Sequence, residues 1–186
     1  MLKKVFEKKE KKVEYIELIY DLIFVYMIGR NNSLLHHVSG GFVETGVFLS
    51  YIFGTLAVIQ IWNYTTFYIN VYGKNNARQY VFLFINMFLL YFMADGTRAE
   101  EGEKYFAQYH IAWALILINI AVQYLLEVRE YKADSVNLRR IQSMAAIIFC
   151  ESAIVLGSVV LHQFSGMMFL SFVAVFFGVF SVLIAS

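Results

Sequence analysis

The sequence predicts an all-α membrane protein, a polytopic helical bundle of about six transmembrane helices with both termini in the cytoplasm. Of the 186 residues, 60% are hydrophobic and 16% are charged, whereas soluble domains average about 45–50% and about 25%. Apolar segments fill nearly all of the chain between short charged clusters, and one soluble core cannot bury that much apolar surface. The net charge of +1 leaves no basic excess for nucleic acid. The expected partners are therefore membrane lipids, small solutes and other helices.

The chain divides into a basic tail and one membrane domain. Residues 1–12 are rich in lysine and lack the cleavage site of a removable signal peptide. Residues 13–186 are predicted to form a single six-span domain. The second span exceeds the roughly 20 residues of a straight crossing, so it is either tilted or begins outside the bilayer. The predicted spans cover residues 13–28, 42–72, 80–94, 105–126, 141–161 and 167–185.

Lys and Arg are distributed unevenly between the two sides of the predicted bundle. Twelve of the fifteen lie in the tail, in the loop after span two or in the loop after span four, and three lie on the opposite side. Cytoplasmic loops carry an excess of these residues. Both termini are therefore predicted to be cytoplasmic, and the same count supports six spans.

Acidic side chains at membrane depth are the strongest functional signal. Glu14, Glu17 and Asp21 share one helix face because they are three and four positions apart, and Asp21 lies about 12 Å into the first span. Glu151 lies about 16 Å into span five from the same side. An ionised acid facing lipid costs about 2.5–3.5 kcal/mol, so these side chains are expected to face inward. We predict that Asp21 and Glu151, assisted by Glu17, converge and bind a proton or a cation.

Amides at membrane depth predict a polar lining around these acids. Asn86 lies in span three, and the other amides recur at helical spacing in spans two and four. The alternative is structural, because buried amides commonly join helices to one another. Asp21 has a similar alternative, in which a basic residue or a Tyr hydroxyl holds it and locks two helices together. The predicted lining residues are Asn63, Asn70, Asn86, Asn119 and Gln123. Asn63 and Asn70 share one stripe of span two with Gln60 and Thr66. Asn119 and Gln123 lie in span four at a spacing that continues to Glu127.

Span six carries no charge and presents a stripe of small residues. The stripe recurs at intervals of three and four positions, so it occupies one helix face. Small residues let another helix approach closely. The stripe predicts a packing surface, either within the chain or between copies in a homo-oligomer. Its members are Ser171, Ala174, Gly178, Ser181 and Ala185.

No metal, cofactor or enzymatic chemistry is predicted. Cys150 is the only cysteine, which excludes a disulfide within the chain and a cysteine-rich metal site. The four histidines do not form the pairs three or four apart that bind metals from one helix. Ser152 has no His in the same helical turn, so the serine-hydrolase arrangement lacks its base.

Two motifs resemble those of a known family. Residues 17–25 read ELIYDLIFV and residues 147–152 read IIFCES. Both are similar to signatures of the bacterial low temperature requirement A (LtrA) family, whose second motif ends in Gly-Glu-Ser. The resemblance implies a multi-pass protein of the bacterial plasma membrane linked to growth in the cold. It also implies that Glu17, Asp21 and Glu151 are the motif acids, and that Arg140 is the arginine that precedes the second motif.

The chain departs from the family pattern near the second motif. Cys150 replaces the usual glycine, and Arg139 stands where an acid is usual. The chain also has about half of the usual family length, so the resemblance implies a short or truncated form.

These patterns predict a transporter or channel-like protein that uses buried carboxylates to bind protons or cations. The alternative is a structural or regulatory membrane protein, related to growth in the cold, whose buried acids only fix the packing of helices. Both predictions place the protein in contact with lipid and neither involves nucleic acid.

Overall fold

The computed structural model describes residues 14–36, 38–39, 41–97, 102–132, 134–166 and 169–185. Within these ranges the chain forms six α-helices, a short 3-10 helix (Ser33–His36) and a small antiparallel hairpin. The hairpin pairs β1 (Val38–Ser39) with β2 (Phe42–Val43). The helices are α1 (Tyr15–Asn32), α2 (Thr45–Tyr72), α3 (Ala77–Asp95), α4 (Gly102–Glu127), α5 (Ser135–Ser165) and α6 (Phe169–Ala185).

The helices form a ring in which each packs on two neighbours. Following the contacts, α1 packs on α3, α3 on α4, α4 on α5, α5 on α6, α6 on α2, and α2 returns to α1. Helix α2 also contacts α4 across the middle of the ring. The largest buried side chains, among them Trp113, Tyr20, Tyr64 and Tyr124, lie on the faces of these helices that point inward.

The predicted class, an all-α membrane bundle, is confirmed, and each predicted span corresponds to one helix. Four helices of the described part are long and apolar enough to cross a membrane: α2, α3, α4 from Phe106 onward, and α5. Helix α6 is apolar over a shorter stretch, Phe169–Phe180, and α1 carries Glu17, Asp21 and Arg30. Six spans and cytoplasmic termini stay predictions, and the basic tail, residues 1–12, lies outside the described residues.

Helix ends differ from the predicted spans because polar residues continue a helix beyond the hydrocarbon. Helix α5 starts at Ser135, six positions before the predicted span. It ends at Ser165 and is followed by Gly166, whose φ of +67° is a conformation that glycine favours. With 31 residues it is about 46 Å long, which exceeds a hydrocarbon core of about 30 Å. Helix α2 begins at Thr45 rather than at residue 42, because Phe42 and Val43 form β2.

Asp134 caps the N-terminus of α5. Its Oδ1 accepts hydrogen bonds from the backbone N–H groups of Val136 and Asn137, both at 3.2 Å, and its Oδ2 accepts from the Asn137 side chain at 2.7 Å. The backbone hydrogen bond from Asn137, followed by the one from its side chain, lowers the pKa of Asp134. The cap therefore stabilises the folded protein most when Asp134 is ionised.

Replacing Asp134 with alanine is expected to lower the melting temperature in detergent at about pH 7. Since the folded-state pKa lies below the unfolded value near 4, the stabilisation is present above that value and is lost as the pH falls through the folded-state pKa. The difference between the two proteins should therefore shrink in acid. Asp134→Asn is the matched control, because asparagine caps about as well as aspartate. Equal melting temperatures for Asp134→Ala and the native protein at neutral pH would contradict this role.

Candidate functional site

Glu151 lies on α5 and is fully buried, with 0% of its surface exposed. Its Oε2 accepts a hydrogen bond from the Tyr64 hydroxyl at 2.7 Å. The Gln60 amide donates to the same Tyr64 oxygen at 3.1 Å. The second carboxyl oxygen of Glu151, Oε1, is buried and has no hydrogen-bond partner among the described residues. No Lys, Arg or His of the described part forms an ion pair with this acid.

Gly178 of α6 closes the other side of this pocket of polar groups. A Cβ atom at this position would overlap the Gln60 amide nitrogen and would lie 2.6 Å from Glu151 Oε2. Glycine is therefore the residue that lets α6 approach the buried acid. Ala174, one turn earlier, is also buried, so this part of the small-residue stripe packs within the chain. The side chains of Ser181 and Ala185 lie outside the described residues, and Ser171 is half-buried.

Asp21 does not join Glu151. Its side chain is exposed on α1, and its Oδ1 accepts a hydrogen bond from the Trp62 indole at 2.9 Å. Trp62 and Tyr64 are two positions apart on α2, so their side chains point about 200° apart. The two acids consequently lie on opposite sides of α2, and the predicted convergence is wrong. The spacing of the acids on α1 defined a shared face but not the direction in which that face turns.

A second polar network crosses the interior and joins four helices. The Tyr20 hydroxyl on α1 and the Thr65 hydroxyl on α2 are 3.0 Å apart. The Asn86 amide on α3 donates to Tyr20 at 3.3 Å. Asn119 on α4 donates to Asn86 Oδ1 at 2.8 Å and to the Phe82 carbonyl at 3.0 Å. The buried polar residue of the first motif is thus Tyr20, the immediate neighbour of Asp21.

The predicted polar lining divides into an inner and an outer group. Asn86 and Gln123 are buried and Asn119 is half-buried, which agrees with their predicted place in the interior. Asn63 and Asn70 are exposed, so their predicted place in the interior is wrong. The inward face of α2 instead includes four buried residues that are four positions apart: Gln60, Tyr64, Tyr68 and Tyr72.

Glu127 anchors a charge cluster at the end of α4. It is fully buried and pairs with Lys74 Nζ at 2.6 Å and with the Arg78 guanidinium. The Tyr68 hydroxyl donates to it at 3.0 Å, and Lys74 also pairs with the exposed Glu130. We call Lys74, Arg78, Glu127 and Glu130 the charge cluster. Burial by itself lowers the pKa of Lys74, but its hydrogen bonds to Glu127 and Glu130 outweigh this effect and raise it.

The family model for bacterial low temperature requirement A protein (LtrA) matches residues 12–184 of the chain. The chain belongs to the LtrA family. This confirms the predicted resemblance, and together with the apolar helices it makes the chain a multi-pass bacterial membrane protein. No curated protein and no solved structure matches the chain.

Both acidic motifs of the LtrA-family chain lie within the matched residues, yet they occupy different environments. Glu17 is half-buried near the start of α1 and its Oε1 accepts from the Gln79 side chain at 3.3 Å. Asp21 is exposed, and only Glu151 is fully buried. Among the motif acids, Glu151 is therefore the one whose charge the described protein shields from solvent.

The sequence of the LtrA-family chain did not predict the charge cluster. Lys74 and Arg78 counted only as basic residues of a loop, and Glu127 only as the end of a polar stripe. Pairing them requires knowing that α2, α3 and α4 meet at one end of the bundle. The available signal was that the loop after span two and the end of span four lie on the same predicted side of the membrane.

Other polar groups remain near the two buried acids of the LtrA-family chain. The hydroxyls of Tyr72 and Tyr124 and the amide nitrogen of Gln123 are buried without hydrogen-bond partners in the described part. The rings of Tyr68 and Tyr124 are in edge contact, with centroids 5.2 Å apart. No group of three or more His, Cys, Asp or Glu within the described ranges is arranged to hold a metal ion.

Proposed function

We propose that this LtrA-family protein is a transporter or channel-like protein in which Glu151 binds the transported proton or cation. One observation carries the proposal: Glu151 is a fully buried carboxyl with no cationic partner in the described part and one oxygen without a hydrogen bond. Buried charges are normally paired or coordinate ions. A proton or a bound cation would supply the missing partner, and ionisable residues inside membrane helices commonly mark such pathways.

In this proposal the proton or cation reaches Glu151 along the tyrosines of α2. Tyr64 contacts Glu151 and Tyr68 contacts Glu127, and the two tyrosines are one helical turn apart, about 6 Å along the axis. The unpartnered hydroxyl of Tyr124 lies beside Tyr68. Buried polar groups of this kind commonly bind ordered water. Hydroxyls and water would connect Glu151 to the charge cluster, which faces the cytoplasm if the N-terminus is cytoplasmic.

We infer no enzymatic reaction. Ser152, the nucleophilic residue type next to Glu151, uses its hydroxyl to donate to the Ala114 carbonyl at 3.3 Å. This hydrogen bond joins α5 to α4. The proposed partners are therefore the lipids of the bacterial plasma membrane and the transported ion.

Replacing Glu151 with glutamine is expected to abolish ion or proton flux in proteoliposomes. Glutamine keeps the shape of the side chain and still accepts from Tyr64, but it cannot release a proton or neutralise a cation. The matched control is Asp21→Asn, which removes an exposed acid of α1 that lies outside the buried site and should leave most of the flux. The measurement is the decay of an imposed pH or cation gradient. Equal flux in the native protein and in Glu151→Gln would overturn the proposal.

The second candidate is a structural protein, and the network of Tyr20, Thr65, Asn86 and Asn119 favours it. Those four side chains are hydrogen-bonded to one another across four helices, which is the arrangement of polar residues that fix packing. If Glu151 likewise only fixes the packing of helices, Glu151→Gln should lower the melting temperature in detergent, and no flux should be measurable in the native protein.

A further inference from the structure

Two buried oxygen atoms beside Gly178 receive no hydrogen bond from the described part of the chain. One is Glu151 Oε1 and the other is Gln60 Oε1, and these side chains are 0% and 4% exposed. The two groups are neighbours, because the Gln60 amide carbon and Glu151 Oε2 lie 2.5 Å and 2.6 Å from one point, the position of a Cβ on Gly178. A donor or a positive charge is therefore missing from this pocket.

The donors of the pocket point elsewhere. The Gln60 amide donates to the Tyr64 oxygen at 3.1 Å, and the Tyr64 hydroxyl donates to Glu151 Oε2 at 2.7 Å. Because the Tyr64 oxygen accepts from Gln60, its own hydrogen is directed to Glu151 or to the Gly178 carbonyl, 3.4 Å away. Neither donor reaches Glu151 Oε1.

Glu151 is the single charged group of this pocket. Of the titratable side chains in the described ranges, only the Tyr64 hydroxyl interacts with it. Helix α6 contains no titratable residue. On α4, the buried His110, Tyr124 and Glu127 interact with groups other than Glu151. One elementary positive charge therefore neutralises the pocket, and a divalent cation would leave an uncompensated buried charge.

A metal cation would find few ligands and little room beside Glu151. A cation that enters a protein without its water needs several oxygen atoms in place of the hydration shell, as K⁺ does in the filter of a channel. The described residues offer two unpartnered oxygens here. On the side of α6 even a methyl group at Gly178 would overlap the Gln60 amide, so water cannot complete the shell there. A proton needs one oxygen and no additional space.

We propose that the ion bound by Glu151 is a proton, carried on Oε1 and hydrogen-bonded to Gln60 Oε1, and that sodium and potassium do not compete for it. This inference rests on the proposed function and names its substrate. The new O–H group is the donor that Gln60 Oε1 lacks, so one proton satisfies both unpartnered oxygens. The proton comes from a hydronium ion, which becomes water, and it returns to water on release. The remaining carboxylate keeps its hydrogen bond from Tyr64.

Infrared spectroscopy of the protein in liposomes tests the site without transport. A protonated carboxyl has a C=O stretching band that a carboxylate lacks. We expect a band that appears on acidification, moves to lower frequency in D₂O and is missing from Glu151→Gln. It should remain in Asp21→Asn, and Glu151→Asp should retain it at a shifted frequency. The pH at which the band appears should be the same at low and high sodium or potassium.

Three results of that titration would overturn the proposal. The band of Glu151 could be absent at every pH, which would mean that no proton binds. It could persist at every pH, which would mean that the proton is never released. It could require lower pH as sodium or potassium rises, which would mean that the metal cation occupies the same site.

Substitution of the two neighbours tests the hydrogen bonds of the proton site. Tyr64→Phe removes the hydrogen bond to Oε2 and Gln60→Leu removes the proposed one from Oε1, so each should move the band to higher frequency. Thr65→Val is the matched control, because Thr65 is a buried polar residue of α2 that bonds to Tyr20 outside this pocket. It should leave the band unchanged. A band that either neighbour's substitution leaves in place would contradict the arrangement.

Flux in proteoliposomes separates this inference from the proposed function. The native protein is expected to dissipate an imposed pH gradient and to pass no radioactive sodium or potassium. Sodium or potassium flux that is lost in Glu151→Gln would overturn the proton assignment and support transport through Glu151. The absence of all ion flux, with the infrared band behaving as expected, would overturn transport and support the proton site.

Discussion

Replacing Gly178 with alanine is expected to lower the free energy of unfolding in detergent by about 2–3 kcal/mol. The new Cβ would occupy the position of the Gln60 amide and approach Glu151 Oε2 to 2.6 Å. Gln60 and Glu151 are themselves buried at 4% and 0% exposure, so neither side chain can move into solvent. The expected result is a clear fall in melting temperature, measured by thermal unfolding of the purified protein.

Gly29→Ala is the matched control for this substitution. Gly29 also lies within a helix of the bundle, but no atom of the described residues would lie within 4 Å of a Cβ at that position. Alanine there should be neutral or stabilising by up to about 1 kcal/mol, because glycine weakens helices. The double variant Gly178→Ala with Gln60→Ala should recover part of the loss, since it removes the overlapping amide. A Gly178→Ala protein as stable as the native one would show that α6 does not pack as closely as described.

The class of the protein and the positions of its helices could be predicted because the bilayer restricts both. A membrane span must be long, apolar and helical, since no water is available to the backbone. The apolar segments therefore matched the helices. Their ends did not all match, because residues 135–140 of α5 are helical although four of the six are polar. Nothing in hydrophobicity distinguishes such a helical extension from a loop.

The direction of each polar face could not be predicted from spacing alone. On α1 the buried residues are Tyr20, Phe24, Met27 and Asn31, so the inward face lies beside Asp21 rather than on it. The prediction assumed that the most polar face turns inward. A face can instead be polar and exposed, as α2 is at Asn63 and Asn70. The spacing of polar residues in a single sequence does not distinguish a polar face that turns inward from one that turns outward.

Glu151 could be predicted as a buried acid, but its partners could not. Tyr64 is 87 positions away in sequence, and Gly178 approaches it from a third helix. The charge cluster could not be predicted for the same reason, since Lys74 and Glu127 are 53 positions apart in sequence. Contacts of this kind depend on which helices are neighbours in the ring. That order is set by tertiary packing and not by any local pattern.

Removing both cations of the charge cluster is expected to have the largest effect on stability. The double variant Lys74→Met with Arg78→Met leaves Glu127, which is 0% exposed, without a counter-charge. Breaking a buried pair on one side costs about 3–5 kcal/mol. Because Lys74 and Arg78 are 33% and 36% exposed, solvent screens part of the interaction, so we expect a loss near the lower end, about 3 kcal/mol. Chemical or thermal unfolding in detergent measures it.

Adding Glu127→Met to that double variant should restore most of the lost stability, because an apolar replacement of a whole buried ionic group is often neutral or better. This recovery separates the cost of an uncompensated charge from the loss of side-chain packing. Alkaline pH gives an independent check, since the raised pKa of Lys74 means that its contribution is present at neutral pH and disappears as the pH rises through that pKa. The native protein should therefore lose stability in strong alkali more than the triple variant does. If the triple variant is as unstable as the double variant, Glu127 is not held in the bundle by its charge, and packing around α4 must account for the whole effect.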